Sequence, residues 1–262
     1  MNQLKIHEMF TSIQGESTYA GLPCFFIRLA GCNLRCSYCD TLKAQTCDMA
    51  KEFTVDEVVS EAMQASPDLI EITGGEPMMQ ADAVCMLAER LLSLKRFRIL
   101  METNGSRDLS YLPDEVVRIV DYKTPSSGEA EKMFLPNFEN LRPFDEVKFV
   151  LSDRGDYLFA LEKIREFDLE RQTNNILFSP AFGVIDIPAL VAWMLEDKVK
   201  ARLNLQFHFF QDDGILFSGA YFAAGTEFAA GLYQGRNTGR IGQWSAYADI
   251  GVLAHLDAGV LY

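Results

Sequence analysis

Three cysteines fall within eight residues, in the run Cys32-Asn33-Leu34-Arg35-Cys36-Ser37-Tyr38-Cys39, just after an apolar stretch from Phe25 to Ala30. Three thiolates on one loop can each bind one iron of a [4Fe–4S] cube, which leaves the fourth iron without a protein ligand. That open iron can take a small molecule and pass it an electron. A structural zinc site would want four ligands, commonly two C-x₂-C pairs. Cys24, Cys47 and Cys85 supply no second pair, and the three histidines are scattered. A disulfide framework would need export, yet Met1–Phe10 carries Lys5 and Glu8 and no apolar core. The loop therefore reads as a cluster site. A second candidate is Thr73-Gly74-Gly75-Glu76-Pro77, behind the apolar run Leu69 to Ile72. Its glycines would let backbone and ligand approach closely at a strand end.

The elements that must position these groups read as an alternation of short apolar runs and helical patterns. Strands are predicted at Phe25–Ala30, Leu69–Thr73, Arg98–Glu102, Val117–Tyr122, Glu146–Leu151, Asn175–Ser179 and Arg202–Phe207. Thr54-Val55-Asp56-Glu57 is a capping box that opens a helix to about Gln64. Ala81–Leu94, Tyr157–Phe167 and Pro188–Glu196 continue the helices, and Lys123 to Pro143 reads as irregular. Parallel strands with crossover helices carry ligands at their carboxyl ends. Cys32, Thr73–Pro77, Thr103-Asn104-Gly105, Lys123 and Ser179-Pro180 all fall there. The expectation is an α/β fold, a partial (β/α) barrel of about six parallel strands.

Charge and composition narrow the function. A net charge of -13 and a pI near 4.7 argue against nucleic acid as partner, since phosphate binding is driven by Lys and Arg. No charge-free apolar run of about 18 residues offers a membrane span. Reduced cysteines and an oxygen-sensitive cluster fit a cytoplasmic protein acting on a small molecule.

The cysteine spacing and the Thr73–Pro77 turn resemble the radical S-adenosylmethionine (SAM) enzymes. The runs Ser12-Ile13-Gln14-Gly15-Glu16-Ser17, Phe26-Ile27-Arg28-Leu29-Ala30-Gly31 and Cys39-Asp40-Thr41 closely resemble the 7-carboxy-7-deazaguanine synthase family. Glu102-Thr103-Asn104-Gly105, Lys123-Thr124-Pro125-Ser126-Ser127 and Leu205-Gln206-Phe207-His208 extend the likeness, from about residue 5 to His208. The resemblance implies a radical ring contraction of 6-carboxy-5,6,7,8-tetrahydropterin to 7-carboxy-7-deazaguanine with loss of ammonia, toward queuosine and related 7-deazapurines. It implies a [4Fe–4S] cluster on Cys32, Cys36 and Cys39, SAM, and Mg²⁺ on Thr41. Substrate contacts would come from Ile13, Gln14, Gly15, Arg28, Thr73 and His208; an Arg fork suits a carboxylate ligand. Tyr38, Asp40, Gly75, Lys123 and Ser179 would lie on the SAM side. A homodimer and a flavodoxin-type electron donor are also implied. Another small radical SAM enzyme, such as a glycyl-radical activase, is the rival class, and it would not require Gln14, Arg28 or Thr41.

After His208 the chain departs from the family, whose members continue with a Lys and a short end. Residues 209–262 hold half of the chain's glycines, no Lys, and as arginines only Arg236 and Arg240, amid Ala and aromatics. So abrupt a break is read as a translated frameshift, with a lineage-specific extension as the alternative. It divides the chain into a catalytic domain, 1–208, and an atypical tail, 209–262. In a third reading, the altered end has left a cluster-binding chain without turnover.

Overall fold

A computed structural model describes residues 2–206; His208, Phe207 and the tail lie outside the described residues. The order along the chain is β1 (Gln3–Ile13), β2 (Pro23–Leu29), β3 (Lys51–Thr54), α1 (Val55–Gln64), β4 (Leu69–Gly74), α2 (Ala81–Ser93), β5 (Arg98–Thr103), β6 (Val117–Asp121), β7 (Glu146–Leu151), α3 (Arg154–Glu166), α4 (Leu169–Gln172), β8 (Asn175–Pro180), α5 (Ile187–Glu196) and β9 (Arg202–Leu203). The strands form one sheet in the order β3-β1-β2-β4-β5-β6-β7-β8-β9. From β2 to β9 every pairing is parallel, while β1 pairs antiparallel with both β2 and β3. This is the α/β, largely parallel sheet of a partial barrel that the alternating pattern implied.

Period-two alternation sorts the parallel strands into two faces. Ile27 and Leu29, Ile70 and Ile72, Ile99 and Met101, Val147 and Phe149 point one way. There they pack with Val58 of α1, Val84, Leu87 and Leu91 of α2, and Tyr157 and Ile164 of α3 into the main core. The other face begins with a small apolar plug of Cys24, Phe26, Leu69, Leu100, Val117 and Ile119. Above the plug, toward the carboxyl ends, the same face turns polar with Arg28, Glu71, Thr73, Glu102, Asp121 and Lys148. Register holds these together: Arg28 lies beside Thr73, and Asp121 beside Lys148.

Local signals account for most boundaries. The capping box at Thr54 is formed, with the Thr54 side chain accepting from Glu57 N and the Glu57 carboxylate accepting from Thr54 N. Helix α3 begins at Arg154 rather than Tyr157, because the Asp153 carboxylate accepts the Asp156 N–H as its cap. Strand β9 is only two residues long. Two antiparallel strands, β1 and β3, extend the sheet beyond the predicted set. The first half of β1 alternates buried Leu4 and Ile6 with exposed Gln3 and Lys5. A search for continuous apolar runs passes over such an alternating strand. From Lys123 to Pro143 the chain makes three short 3₁₀ turns, as its composition implied.

Candidate active site

The cysteine loop leaves β2 through Gly31, whose φ of +94° is the left-handed region open to glycine. Main-chain bonds close the loop on itself: Gly31 N donates to Ala44 O at 2.8 Å and Cys32 N to Gln45 O at 3.1 Å. Its tip is tied to the irregular segment after β6. Ser37 donates its N–H to Ser127 O at 3.1 Å and its hydroxyl to Ser126 O at 2.6 Å. Arg35 N reaches the Glu129 carboxylate at 2.7 Å. Cys32, Cys36 and Cys39 are free thiols, each partly exposed, on the wall of one cavity of about 980 Å³. Burial pushes the Cys32 and Cys36 thiols up, so ligation to a metal is what would hold them as thiolates. Among the described residues no three His, Cys, Asp or Glu side chains converge on the position of a single ion. Three thiols on one loop suit a multi-iron group with one ligand to each iron, where a mononuclear zinc site wants four protein ligands.

The Thr73–Pro77 turn packs directly on this loop. A Cβ on Gly75 would lie 2.3 Å from Gly31 O, and one on Gly74 2.2 Å from Leu29 O. The glycines therefore admit the chain's own backbone, while Gly75 also faces the cavity. Glu76, fully buried, turns away from the cavity and ties β4 to β5. Its carboxylate accepts Thr103 Oγ1 at 2.8 Å, Asn104 N at 2.7 Å and Met78 N at 2.9 Å. Burial raises its pKa, and these donors oppose the rise.

The strand-borne wall is a packed set of charges. Lys148 Nζ lies 3.0 Å from Glu16 and 3.4 Å from Asp121, and donates to the Glu102 carboxylate. Lys123 Nζ meets the other Asp121 oxygen at 2.5 Å. Thr73 Oγ1 donates to Glu102 at 3.0 Å. Burial alone would raise Glu102, but Lys148 and the Thr73 hydrogen bond outweigh it and bring its carboxyl to about 2. Lys148 itself is held protonated well above the usual lysine value, the surrounding carboxylates overcoming burial. Glu71 goes the other way. Burial, then the Glu102 and Glu16 charges, push its carboxyl well above the usual range, and it accepts the side-chain amide of Gln14. Arg28 holds Glu8 at 2.9 Å at the cavity edge.

Ile13, Gln14, Gly15, Arg28, Thr73, Tyr38, Asp40, Gly75, Lys123, Thr41 and the three cysteines all line this one cavity. The Thr41 hydroxyl donates to Asp40 Oδ1 at 2.8 Å, placing both oxygens together. Ser179 does not line it: its hydroxyl accepts from Asn204 Nδ2 at 2.9 Å, and Asn204 Oδ1 accepts Ser17 N at 3.1 Å, so Ser179 braces the Gln14–Ser17 loop from behind. His208 lies outside the described residues. Sequence reasoning gave no role to Glu71, Glu102, Asp121 or Lys148. Their one signal was a charged residue inside an otherwise apolar strand, as in Leu69-Ile70-Glu71-Ile72 or Val147-Lys148-Phe149.

A parallel α/β sheet with a cysteine loop after its first parallel strand defines the class, and the description of the Radical SAM superfamily matches residues 26–180. A 7-carboxy-7-deazaguanine synthase of Koribacter versatilis is 41% identical over 220 residues, covering 79% of this chain and 96% of that protein. Those of Methanospirillum hungatei and Chlorobaculum tepidum are 39% and 37% identical, over 79% and 78% of the chain and 85% and 92% of their own lengths. The chain belongs to the 7-carboxy-7-deazaguanine synthase family of radical SAM enzymes. The crystal structure of QueE from Escherichia coli shares the fold, with a TM-score of 0.63 at 20% identity, over 79% of this chain and 95% of that one. Among the described residues no helix is long and apolar enough to cross a membrane.

Proposed function

We propose that the chain catalyses the ring contraction of 6-carboxy-5,6,7,8-tetrahydropterin to 7-carboxy-7-deazaguanine, with loss of ammonia, in 7-deazapurine biosynthesis. The observation that carries this reading is that a cysteine triad and a wall of amide, guanidinium and carboxylate groups face each other across one cavity. About 980 Å³ is at the upper end of single-ligand pockets, room for SAM and a bicyclic substrate together. Bound there, the cluster and SAM supply one-electron, carbon-radical chemistry.

The residues divide the remaining work. Cys32, Cys36 and Cys39 hold the cluster, Tyr38, Asp40, Gly75 and Lys123 bound the SAM side, and Ser179 supports the substrate side instead, bracing the Gln14–Ser17 loop through Asn204. Arg28 receives the substrate carboxylate by exchanging Glu8 for it, a charge-assisted pairing. Gln14, with Ile13 and Gly15, presents amide and backbone groups to the pterin ring. Gln14 is oriented because its amide nitrogen donates to Glu71 and its oxygen accepts Glu16 N at 3.0 Å. Thr73 and His208 complete the substrate side. The Lys148-centred charges keep Glu102 ionised and Glu16 fixed beside the ring; of the two, Glu16, whose carboxyl burial pushes up, is the one suited to exchange a proton as nitrogen leaves. Thr41 with Asp40 offers hard oxygens to Mg²⁺.

Residues 1–208 form the catalytic domain, and 209–262 replace the family's short end. The enzyme works in the cytoplasm, as a homodimer, with a flavodoxin-type donor. The test is an anaerobic assay of the full chain reconstituted with iron and sulfide, given reductant, SAM, Mg²⁺ and 6-carboxytetrahydropterin. A Cys36→Ala control and a chain truncated after His208 run beside it. Product by mass from the full chain, absent in the control, is expected. Normal SAM cleavage without product, in both lengths, overturns the substrate assignment.

A further inference from the structure

Asn104 stands at the carboxyl end of β5, buried to 6% exposure, and its side chain is the centre of a closed ring of hydrogen bonds. The Ser106 hydroxyl donates to Asn104 Oδ1 at 2.6 Å, Asn104 Nδ2 to Asn33 Oδ1 at 3.2 Å, and Asn33 Nδ2 back to Ser106 Oγ at 2.8 Å. The direction of this ring is fixed from outside. Asn104 Oδ1 also accepts the main-chain N–H of Ser106 at 3.0 Å, and a main-chain nitrogen can only donate. The amide oxygen must therefore face Ser106, and the NH₂ group must face the cysteine loop. One of its hydrogens goes to Asn33; the other is aimed at Cys32 Sγ, 3.7 Å away. The backbone beneath is equally constrained, since Glu76 accepts Asn104 N and the Thr103 hydroxyl. Cys32 Sγ accepts a second N–H, from Leu34 at 3.4 Å. Among the described residues no hydrogen bond reaches Cys36 or Cys39 Sγ, so the three cysteines are not electrostatically equivalent.

We propose that Asn104 is a positioning residue that tunes the iron–sulfur cluster through Cys32, held in that role by Ser106, Asn33 and Glu76. Reduction of a cluster adds negative charge that spreads onto the cysteine sulfurs, so an N–H···S bond stabilises the reduced state more than the oxidised one. The amide raises the reduction potential and eases delivery of the electron that starts turnover. A residue that merely filled space at the end of β5 would leave the potential where it is.

This inference rests on the cluster reading above, and its test separates the two. The full chain is reconstituted anaerobically without SAM, and the midpoint potential is read by redox titration followed by electron paramagnetic resonance. Asn104→Leu keeps the volume and removes the donor. Its potential is expected to fall by an amount equivalent to about tenfold in the reduction equilibrium, about 59 mV for one electron. Ser106→Ala keeps Asn104 but opens the ring, and a smaller fall in the same direction is expected. Should Asn104→Leu take up no iron, Ser106→Ala alone decides. Unchanged or raised potentials in the variants that load overturn the tuning role while leaving the cluster in place. A wild-type chain that takes up no iron overturns the cluster reading instead, and the tuning with it.

Discussion

The two walls of the cavity are built by different means. On the cysteine loop, position comes from the main chain: Gly31, Cys32 and Ser37 are tied through backbone bonds, and the thiol side chains project from a fixed frame. On the strand wall, position comes from side chains that hold one another, Glu16, Glu102 and Asp121 around Lys148, with Lys123 on the far oxygen of Asp121. The loop can therefore lose a thiol and keep its shape. The strand wall cannot, because each of its charges is another's reason for being tolerated in the interior.

The largest expected effect tests the loop. Cys36→Ala should abolish cluster incorporation and product formation while moving the urea midpoint of the protein hardly at all, since Cys36 is partly exposed and its thiol accepts no hydrogen bond among the described residues, while the main-chain bond from Cys39 N to its carbonyl survives the substitution. Iron content and urea unfolding on the same preparation check both halves. Loss of fold along with iron would erase the contrast. Lys148→Met tests the other wall and should destabilise the protein by about 3–5 kcal/mol, the usual cost of stranding buried partners of a removed charge. The sign with pH follows from Glu102. Its carboxyl is held at about 2, below the unfolded value of about 4.3, so its contribution is present above the unfolded value and disappears as pH falls through about 2. The gap between wild type and Lys148→Met should therefore narrow on acidification across that window, as unfolding at pH 7, 4 and 2.5 would reveal.

Where the walls meet, the effect should be intermediate and mixed. Gly75→Ala places a methyl against Gly31 O and Ala44 O, both main chain, so one strand end must shift. Overpacking of this kind costs about 1–3 kcal/mol, and here it should also weaken SAM binding, which calorimetry on the reconstituted protein would detect. A stable Gly75→Ala protein with unaltered SAM affinity would mean that the two walls are mechanically independent.

The same contrast explains what could be read in the chain before its fold. Cys32, Cys36 and Cys39 act within one turn of each other, so their spacing is their geometry. The capping box at Thr54 and the apolar runs of β2 and β4–β8 are local in the same sense. Lys148 and its partners are far apart in the chain, Glu102 and Asp121 on their own strands and Glu16 on the loop after β1, and become neighbours only when the parallel register aligns Asp121 with Lys148. Nothing local distinguishes Glu71, which organises Gln14, from a misplaced charge in a strand. Strand β1 is hard to read for a related reason, since its alternating face carries half the apolar signal of a buried parallel strand. Ser179 shows the converse: the strand-end position was legible, but its hydroxyl is turned to Asn204.

The smallest perturbation asks whether the strand wall needs all of its carboxylates as charges. Glu71 differs from Glu102 in sign. Burial and its acidic neighbours raise its carboxyl well above the usual range, so it contributes stability that is fully present below the unfolded value of about 4.3 and lost as pH rises toward the raised folded value. Glu71→Gln is an isostere that is neutral at every pH and can still accept the Gln14 amide. Below pH 4 the two proteins should unfold alike. Above it, wild type should lose ground to the variant by at most about 1.4 kcal/mol per pH unit, flattening once Glu71 ionises in the folded state. Urea unfolding of both proteins from pH 4 to pH 8 measures that slope directly. Parallel curves would mean that Glu71 is ionised in the fold like Glu102, and that Gln14 is held by a carboxylate rather than by a carboxylic acid.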